Sequence, residues 1–382
     1  MARLQFGLFV APIHNIGQSP NYALHKDVEL TVLVEQLGYD EVWYGEHHSA
    51  GTEYITSPEI MIAYAAAKTS RIRLGTGAVS LPYHNPLWVA DRLLLLDHLT
   101  RGRMMCALGP GSLASDAKMI GLNMGDLRDA FEEDFDVLMH LLTNDEPLSV
   151  KTDRYELVNA TSMLKPYSDP CFEIAVPGVA SQVAPRLAGK VGGGLLSLGS
   201  TSPEGMQALR DHWSILESRA AEFGQVADRR KWRLTSHVHL AETREQAFAD
   251  IEHGFMTWFD YYADNTSHPA FTLEGRTFEE RLEFLQNARA VIIGTPDDAI
   301  AEIEAFVEGT GGFGCFLQFH HEWTTWEAAK RHHELFAKYV MPHFQDQLTR
   351  ARNSYDAAKA GKQAYLAEMT TAMTDYMAKH SK

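Results

Sequence analysis

Short apolar runs alternate with longer segments of helical periodicity along the whole chain. Eight of these runs have the length and nearly continuous hydrophobicity of strands that are covered on both faces. The segments between them repeat apolar residues at the spacing of helices that pack on a sheet. This alternation predicts βα units around a parallel sheet. The predicted strands lie in residues 4–12, 41–48, 72–82, 103–111, 172–180, 194–198, 233–242 and 313–321.

Residues that end and begin helices support the same pattern. A helix predicted in segment 23–40 ends at Gly38, and another begins after Thr295 with Pro296 in its first turn. Eight βα units favour a closed (β/α)8 TIM barrel over an open doubly wound sheet, because no GxGxxG motif follows the first strand. We therefore predict a barrel domain at residues 1–345 and a helical C-terminal tail at residues 346–382.

Three segments add to this barrel. Residues 144–170 combine polar turns with a short alternating run, which predicts an inserted hairpin. Residues 265–280 predict a loop over the barrel mouth, where long loops often cover substrates. The Ala-rich tail is expected to pack on the barrel, with packing on another subunit as the alternative. Its apolar face comprises Leu366, Met369, Met373 and Met377.

Composition and charge limit the class of protein. The 382 residues include 50 acidic and 34 basic side chains, giving a formal net charge of −16. This charge repels nucleic-acid phosphates and anionic lipids, so we expect neither nucleic acid nor membrane as a partner. No apolar stretch approaches the roughly 20 residues of a membrane-spanning helix, and no signal peptide is apparent. The three cysteines form no CxxC pair, so we expect a reducing compartment, the cytoplasm.

Histidines collect at the ends of the predicted strands. The active sites of parallel barrels lie at the carboxyl ends of their strands, so these positions are the first candidates for chemistry. For any single histidine the alternative is an ordinary solvated turn residue. The histidines in question are His14, His47, His48, His84, His320 and His321.

A metal site is one alternative use of these side chains, because imidazole and carboxylate both bind zinc. His47 and His48 are neighbours and should point to opposite faces of a strand, so they are poorly placed to share an ion. His237 and His239 share a face and form the better metal candidate. However, the first strand ends in a lone His14 rather than the HxH usual in barrel metallohydrolases. We predict no metal.

Two glycine-containing strand exits are candidate anion sites. Residues 108–121 leave a strand through two glycines, and residues 177–192 leave another through Gly178 and Ser181. Free N–H groups at the start of a helix, together with a hydroxyl, can bind a phosphate. The alternative is that the glycines and serines simply build turns.

Four stretches together resemble, in order and spacing, the bacterial luciferase-like flavin-dependent monooxygenases. They are LGYDEVWYGEHH, IRLGTGAVSLPYHNP, LDHLTRGRMMCALGPG and LRDAFEEDFDVL, and the resemblance covers most of residues 4–345. Two further stretches, GPGSLASDAKMIG and GGFGCFLQFHHEW, look closest to the limonene and diketocamphane monooxygenase branch of that family.

This resemblance implies a flavin-dependent monooxygenase that binds reduced FMN and reacts it with O2. The resulting C4a-(hydro)peroxyflavin would oxygenate the substrate. His47, the first histidine of the EHH motif, is implied as general acid/base, because a neutral imidazole near its own pKa can exchange a proton at pH 7. Glu46 would orient the site. No glycine fingerprint for NAD(P)H is apparent, so a separate NAD(P)H:flavin reductase would supply FMNH2 to a homodimer.

The resemblance also implies where the cofactor lies. The peptide Gly77–Ala78 matches a position that is often a non-prolyl cis bond beneath the flavin ring. Gly109 matches a position near the flavin, Gly178 belongs to one of the candidate anion sites, and Arg128 and Ser181 match residues that approach the FMN phosphate.

The chain departs from the luciferase subunit at three of these positions. Pro110 and Ala184 stand where that subunit has an arginine and a threonine near the phosphate. Gly109 stands where it has a cysteine, so no thiol role carries over and light emission is not implied.

The expected substrate is a small hydrophobic molecule such as a terpene or cyclic ketone, undergoing hydroxylation, epoxidation or Baeyer–Villiger insertion. Apolar and amphipathic groups at strand ends would line its pocket, with plain barrel-mouth packing as the alternative. Three other functions remain open: an F420-dependent oxidoreductase of the same barrel family, a non-catalytic flavin-binding protein and a metal-dependent barrel hydrolase. The expected substrate contacts are Phe9, Tyr44, His84, His321 and Trp323.

Overall fold

The computed structural model describes residues 3–11, 13–178, 181–265 and 274–381. Within these ranges the strands are β1 (Gln5–Val10), β2 (Glu41–Tyr44), β3 (Arg73–Ser80), β4 (Met104–Gly109), β5 (Leu148–Lys151), β6 (Glu156–Ala160), β7 (Glu173–Gly178), β8 (Gly194–Leu198), β9 (Trp232–Leu240), β10 (Val291–Gly294) and β11 (Cys315–His320). The helices are α1 (Pro20–Leu37), α2 (Pro58–Ala66), α3 (Pro86–Thr100), α4 (Ala114–Met119), α5 (Leu127–Thr143), α6 (Val183–Lys190), α7 (Pro203–Glu222), α8 (Arg244–Ile251), α9 (Phe255–Asp260), α10 (Phe278–Asn287), α11 (Pro296–Thr310), α12 (Trp326–Leu335), α13 (Met341–Phe344) and α14 (Thr349–His380).

Eight parallel strands close into a barrel, which confirms the predicted fold. The order runs from β11 through β1, β2, β3, β4, β7 and β8 to β9, and the pairing of β9 with β11 completes the ring. All eight predicted strands are present at nearly the predicted positions. The sequence pattern missed β10, which is only four residues long and pairs with the last residues of β9.

The helix boundaries follow the local sequence signals. Gly38 ends α1 in the left-handed region at a φ of 95°, which glycine adopts without a steric penalty. At the start of α11, the Thr295 hydroxyl accepts from the Asp298 N–H, and the Asp298 carboxylate accepts from the Thr295 N–H. Both predicted helices are therefore confirmed.

Two of the three predicted additions to the barrel can be compared with the structure. The insertion before β7 contains the antiparallel β5–β6 hairpin, as predicted. Residues 266–273 of the predicted loop at 265–280 lie outside the described residues, and α10 begins at Phe278. No helix in the described ranges is both long and apolar enough to cross a bilayer.

The C-terminal tail is helical, but the prediction that it packs on the barrel is wrong. None of the residues in α14 is buried. The predicted apolar face is present as an exposed face, because each of its four residues keeps at least 56% of its surface accessible. These residues are Leu366, Met369, Met373 and Met377.

A buried ionic cluster closes the amino end of the barrel interior. Arg233 of β9 is fully buried, with its Nη2 2.7 Å from Glu41 Oε1 and its Nη1 in contact with Glu173. Arg73 of β3 lies 3.2 Å from Glu41 and 2.8 Å from Glu173. Two guanidinium groups therefore balance two carboxylates, which is the condition under which charges are tolerated inside a protein.

An apolar layer fills the barrel above this ionic cluster. The Trp43 indole lies across the centre and donates from Nε1 to Glu41 Oε2 at 2.9 Å. A glycine is required at position 75, since a Cβ there would lie 2.4 Å from the indole ring. The filled centre leaves the carboxyl end of the barrel as the place for a ligand. The layer comprises Trp43, Met105, Ala107, Ala175, Leu196, Cys315 and Leu317.

Arg233→Ala should lower the free energy of unfolding by about 3–5 kcal/mol, because it leaves the buried carboxylate of Glu41 and the partly exposed one of Glu173 with too few partners. Urea denaturation measures the change. The matched control is Arg244→Ala, whose guanidinium is 65% exposed and pairs with Asp298; it should cost less than about 1 kcal/mol. Equal effects of the two substitutions would contradict the role of the buried cluster.

Candidate active site

A partly exposed, mostly apolar surface lies at the carboxyl end of the barrel, and we call it the mouth floor. Its side chains follow the buried inner layer along the strands and are half-buried where that layer is fully buried. Neighbouring strands meet closely here: a Cβ on Gly77 would lie 2.7 Å from the Phe9 ring, and one on Gly109 would lie 3.6 Å from Ala78 Cβ. The mouth floor comprises Phe9, Gly77, Ala78, Pro177, Leu198, His237 and Phe319.

The peptide bond between Gly77 and Ala78 is cis, as the family resemblance implied. It lies in β3 where the register with β4 shifts, between Thr76 and Val79. Phe9, Gly77, Ala78 and Gly109 were all predicted site residues, and the structure brings them together at one end of the barrel.

His47 lies between two carboxylates in the loop that follows β2. Its Nδ1 is 3.2 Å from Asp116 Oδ2, and its Nε2 is 2.9 Å from Glu53 Oε2. The Tyr261 hydroxyl donates to the other oxygen of Glu53. About a fifth of the His47 side chain is exposed, so the imidazole faces the protein rather than bulk water.

This environment changes the protonation state expected of His47. Burial alone would lower the pKa of His47, but the charges and hydrogen bonds of Glu53 and Asp116 outweigh burial and raise the pKa from 6.5 to about 9. The prediction of a neutral imidazole at pH 7 is therefore wrong for this structure, because each ring nitrogen faces an acceptor. His47 is an imidazolium at neutral pH and can donate a proton.

Glu46 joins the loops that follow β2 and β3. Its Oε1 is 2.7 Å from His84 Nε2 and 3.0 Å from His48 Nε2, and its Oε2 accepts from the Ser80 N–H at 2.6 Å. Burial would raise the pKa of Glu46, but these hydrogen bonds and the charge of His84 lower it to about 2. The buried carboxylate stays ionised and fixes both imidazoles.

The same three side chains bear on the metal alternative. Among the described residues, the group able to bring three metal-ligating atoms together is Glu46, His48 and His84. Their separations of 2.7 and 3.0 Å are hydrogen-bond lengths, so the groups satisfy one another. His237 and His239 do not form the metal pair considered from the sequence, because His237 contacts His321 at 2.5 Å and His239 contacts Asp250 at 3.0 Å.

Tyr44 is not a substrate contact, which corrects the sequence prediction. Its side chain is fully buried in the core between the barrel and its helices, where its hydroxyl lies 2.5 Å from the Thr31 Oγ1 of α1. Alternation along β2 places Trp43, not Tyr44, inside the barrel. A register error of one residue therefore moved the predicted contact to the wrong face.

His321 and Trp323 belong to an aromatic cluster beside the mouth floor. Their ring centroids are 5.0 Å apart, and Trp258 of α9 lies 5.2 Å from His321 and 5.1 Å from Trp323. The adjoining cavity has a volume of about 20 Å³, room for one water. In this structure both side chains serve packing, and their contact with substrate stays a prediction.

The predicted phosphate residues lie near the starts of two helices, α5 and α6. Arg128 is exposed near the start of α5, and the half-buried Ser181 accepts from the Val183 N–H at 3.3 Å. A Cβ on Gly178 would face Ala184, 2.9 Å away, so this glycine turns toward α6 and offers the site its backbone alone.

The candidate anion site in residues 108–121 is instead used by the chain itself. Asp116, in the first turn of α4, is buried and accepts from the His48 N–H at 3.1 Å and from the Ser49 hydroxyl at 2.5 Å. Sequence reasoning missed Asp116, Glu53 and Tyr261. The sequence could have identified Asp116 as a site residue, because it lies just beyond a barrel strand, in a stretch that was predicted to bind an anion.

A second buried histidine, His14, has the same arrangement as His47. Its Nε2 is 3.3 Å from Asp27 and its Nδ1 is 3.4 Å from Glu322. Burial lowers the pKa of His14, but hydrogen bonds and charges from Asp27 and Glu322 prevail and raise it to about 9. His14 therefore ties the loop after β1 to α1 and to the loop after β11.

Glu53→Gln should lower the pKa of His47 toward its usual value, because one of its two anionic partners becomes neutral. Histidine NMR titration, with resonances assigned by His47→Gln and His14→Gln, measures the shift. Glu322→Gln is the matched control: it should lower the pKa of His14 and leave the pKa of His47 in place. An unchanged pKa of His47 in Glu53→Gln would contradict the ion pair.

The free energy of unfolding should fall as pH rises from about 6.5 to 9. The pKa of His14 is 6.5 in its ordinary state and about 9 in the folded chain, so its ion pairs stabilise the fold fully below pH 6.5 and lose this effect as pH passes 9. Denaturant unfolding at a series of pH values should show Glu322→Gln flattening the fall. The exposed control Glu327→Gln should leave the profile unchanged; a flat profile in the native chain would contradict this account.

A filled barrel with an accessible mouth floor and polar loops at its carboxyl end is the arrangement of a (β/α)8-barrel enzyme. The family model for luciferase-like monooxygenases matches residues 4–314. The chain therefore belongs to the luciferase-like monooxygenase family.

Individual relatives support this assignment. The chain is 45% identical over 346 residues to limonene 1,2-monooxygenase of Rhodococcus erythropolis, covering 91% of this chain and 88% of that protein. It is 41% identical over 358 residues to 4-hydroxyprotoasukamycin monooxygenase of Streptomyces nodosus subsp. asukaensis, covering 93% and 96%.

A solved structure gives the same result. The oxygenating constituent of 3,6-diketocamphane monooxygenase from Pseudomonas putida, a type II Baeyer–Villiger monooxygenase in complex with FMN, overlays with a TM-score of 0.74 at 25% identity. The overlay covers 90% of this chain and 99% of that one. These matches do not favour the F420-dependent or the non-catalytic alternative.

Proposed function

We propose that this chain is the oxygenating component of a two-component monooxygenase. It takes reduced FMN from a separate NAD(P)H:flavin reductase and uses O2 to oxygenate a small hydrophobic substrate of the terpene or cyclic-ketone type. The observation that carries the proposal is the pairing of an accessible, mostly apolar mouth floor with the imidazolium of His47 at the same end of the barrel. The names and cofactor of the relatives support it.

The residues at the mouth fit a flat tricyclic cofactor. Gly77, Ala78 and Gly109 contribute backbone and a single methyl group, so they present a smooth surface for an isoalloxazine ring.

The Tyr83 hydroxyl nearby is buried and has no hydrogen-bond partner among the described residues. Burial and the charges of Asp116 and Glu46 raise its pKa, so it stays a neutral phenol that can donate.

The phosphate end of FMN would be held by Arg128 and Ser181. Arg128 offers an exposed guanidinium, which suits a phosphate that enters from solvent. Ser181 lies just before the start of α6, and its hydroxyl can donate to a phosphate oxygen while it accepts from the Val183 N–H. The departures at Pro110 and Ala184 leave these two residues and the backbone at this end as the phosphate contacts.

Bound reduced FMN supplies the two electrons that O2 activation requires. The protein's part is to place a cation and a proton donor at the mouth. Asp116 at Nδ1 and Glu53 at Nε2 fix the imidazolium of His47, and either nitrogen can release a proton to an oxygen anion when its carboxylate is displaced. A held positive charge also stabilises negative charge that develops beside it.

The mouth floor indicates the kind of substrate. Phe9, Pro177, Leu198 and Phe319 offer apolar surface, while His237 adds a polar edge. Burial lowers the pKa of His237 to about 3, so its ring is neutral and adds no charge. A compact hydrocarbon or cyclic ketone suits such a surface better than a charged molecule. A homodimer in the cytoplasm completes the proposal, and the three free cysteines are consistent with a reducing compartment.

His47→Gln should lower turnover about 10²–10⁴-fold, the usual contribution of a general acid or base, while FMNH2 still binds. The assay mixes the protein, preloaded anaerobically with FMNH2, with oxygenated buffer containing limonene, other monoterpenes or cyclic ketones, and product is measured by gas chromatography. His98→Gln is the control, because His98 is exposed on α3 and bonds the Lys165 carbonyl. Equal turnover in His47→Gln and the native chain would contradict the role of His47.

Cofactor preference is tested separately. Fluorescence titration of the native chain with FMNH2 and with reduced F420 should show tighter binding of FMNH2. Preference for F420, or failure to oxygenate any substrate of the panel with FMNH2 bound, would overturn the proposed function.

A further inference from the structure

A buried row of hydrogen bonds links β9, β11 and α12, and its donors and acceptors can be assigned from one end. The row begins at the Leu240 N–H, which donates to His332 Nδ1 at 3.0 Å. Burial and the neighbouring histidines lower the pKa of His332, so the ring is neutral at pH 7 and carries a single proton. Because Nδ1 accepts, that proton lies on Nε2, which donates to Gln318 Oε1 at 2.7 Å.

The same reasoning extends the assignment to His333. With its oxygen accepting, the Gln318 amide donates from Nε2 to the Tyr39 hydroxyl at 3.1 Å. The hydroxyl then donates its own proton to His333 Nδ1, which lies 3.4 Å away. Burial lowers the pKa of His333 as well, so the one proton of this neutral ring lies on Nε2. We call this set the histidine row: Leu240, His332, Gln318, Tyr39 and His333.

The histidine row ends at the cavity of about 20 Å³ beside the mouth floor, which has room for one water. Two of the lining residues supply N–H donors: His333 has its Nε2–H, and the Trp323 Nε1–H is buried without a hydrogen-bond partner among the described residues. His239, also in the lining, supplies an acceptor. Its Nε2 bonds the Asp250 carboxylate at 3.0 Å, and burial lowers its pKa, so its Nδ1 carries no proton. A water that accepts from both donors can donate both of its own protons.

One of those protons goes to His239, and the other fits His321. The Nδ1 of His321 is buried without a partner among the described residues, and His321 lines the same cavity. When this Nδ1 accepts, the proton of His321 lies on Nε2, 2.5 Å from His237 Nδ1. The two ring centroids are 4.7 Å apart, so the rings meet edge to edge, as a hydrogen bond between their nitrogens requires. His237 Nδ1 therefore accepts, and the proton of this half-buried residue lies on Nε2.

We propose that the histidine row, acting through a water in the cavity and through His321, holds His237 as its Nε2–H tautomer, and that this donor on the mouth floor selects substrates with an acceptor oxygen. The inference rests on the proposed function and narrows its substrate. The carbonyl oxygen of a cyclic ketone can accept from His237, whereas a hydrocarbon cannot. A histidine free to change tautomer would offer either a donor or an acceptor and would recognise neither.

The first experiment needs neither flavin nor substrate. Nitrogen chemical shifts of isotope-labelled histidines distinguish a ring nitrogen that carries a proton from one that does not, and His237→Phe assigns the signals. In the native chain His237 should carry its proton on Nε2 alone, with a scalar coupling across the hydrogen bond to His321 Nε2. A proton on His237 Nδ1, or exchange between the two forms, would overturn the proposal.

Tyr39→Phe tests the histidine row from its far end. Without the hydroxyl, His333 can hold its proton on Nδ1 and offer an unprotonated Nε2 to the water. The water can then accept from His321, so His237 should populate the Nδ1–H tautomer beside the Nε2–H form. Tyr44→Phe is the matched control, because it removes another fully buried hydroxyl that lies outside the row, and it should keep one tautomer. A single tautomer in Tyr39→Phe would show that the row does not set His237.

The third experiment measures recognition of the oxygen. Menthone and p-menthane share one carbon skeleton, and menthone has a carbonyl in place of a ring methylene. Calorimetric titration of the chain, loaded anaerobically with FMNH2, gives the Kd of each compound without turnover. His237→Phe should weaken menthone binding about tenfold, the effect of one lost hydrogen bond, and leave p-menthane binding nearly unchanged.

Phe9→Leu is the matched control for this titration. It alters the apolar mouth floor without removing a donor and does not touch the lining of the cavity, so it should change both Kd values by the same factor. Equal changes for the two compounds in His237→Phe would overturn the selection of an oxygen. Failure to bind FMNH2 would instead contradict the proposed function, and the first two experiments decide the tautomer of His237 without flavin.

Discussion

The barrel interior is filled from its amino end, and this constraint determines where everything else can lie. Arg233 and Arg73 neutralise Glu41 and Glu173 at the bottom, and the Trp43 indole covers the cluster. Because charged groups fill the amino end of the interior and the indole fills its centre, side chains become accessible only toward the carboxyl ends of the strands. The mouth floor follows from the packing beneath it.

Carboxylates set the chemistry of the loops above this floor. Two histidines, His14 and His47, each lie between a pair of acidic side chains and share a pKa raised to about 9. The histidines of the aromatic side are different: a low-polarity environment without acidic partners lowers the pKa of the half-buried His237 and of the buried His321. Residue type alone therefore does not assign a role, because the same imidazole is a cation on one side of the mouth and neutral on the other.

The sequence predicted the repeating strands and helices and the features shared with a known family. It did not predict contacts between residues that lie far apart in the chain. The eight strands and the helix ends at Gly38 and Thr295 come from local signals and were confirmed. The cis bond between Gly77 and Ala78 was implied by the family resemblance and was also confirmed. Tyr44 was assigned to the wrong face because a strand pattern that is apolar on both faces does not show which one is inside. The protonation of His47 was predicted wrongly because Glu53 and Asp116 reach it through tertiary contacts. The tail was predicted to pack on the barrel because an amphipathic pattern does not show which surface a helix contacts.

Glu46 and Asp116 have a mechanical consequence for the mouth. Glu46 contacts His48 in its own loop, Ser80 at the end of β3 and His84 beyond β3. Asp116 of α4 contacts the backbone and side chains of the loop after β2. The buried carboxylates of Glu46 and Asp116 therefore join the loops that follow β2, β3 and β4 by hydrogen bonds. Displacing any one of these loops therefore breaks hydrogen bonds to a buried carboxylate, and the loops after β1 and β11 are joined in the same way by Glu322 and His14.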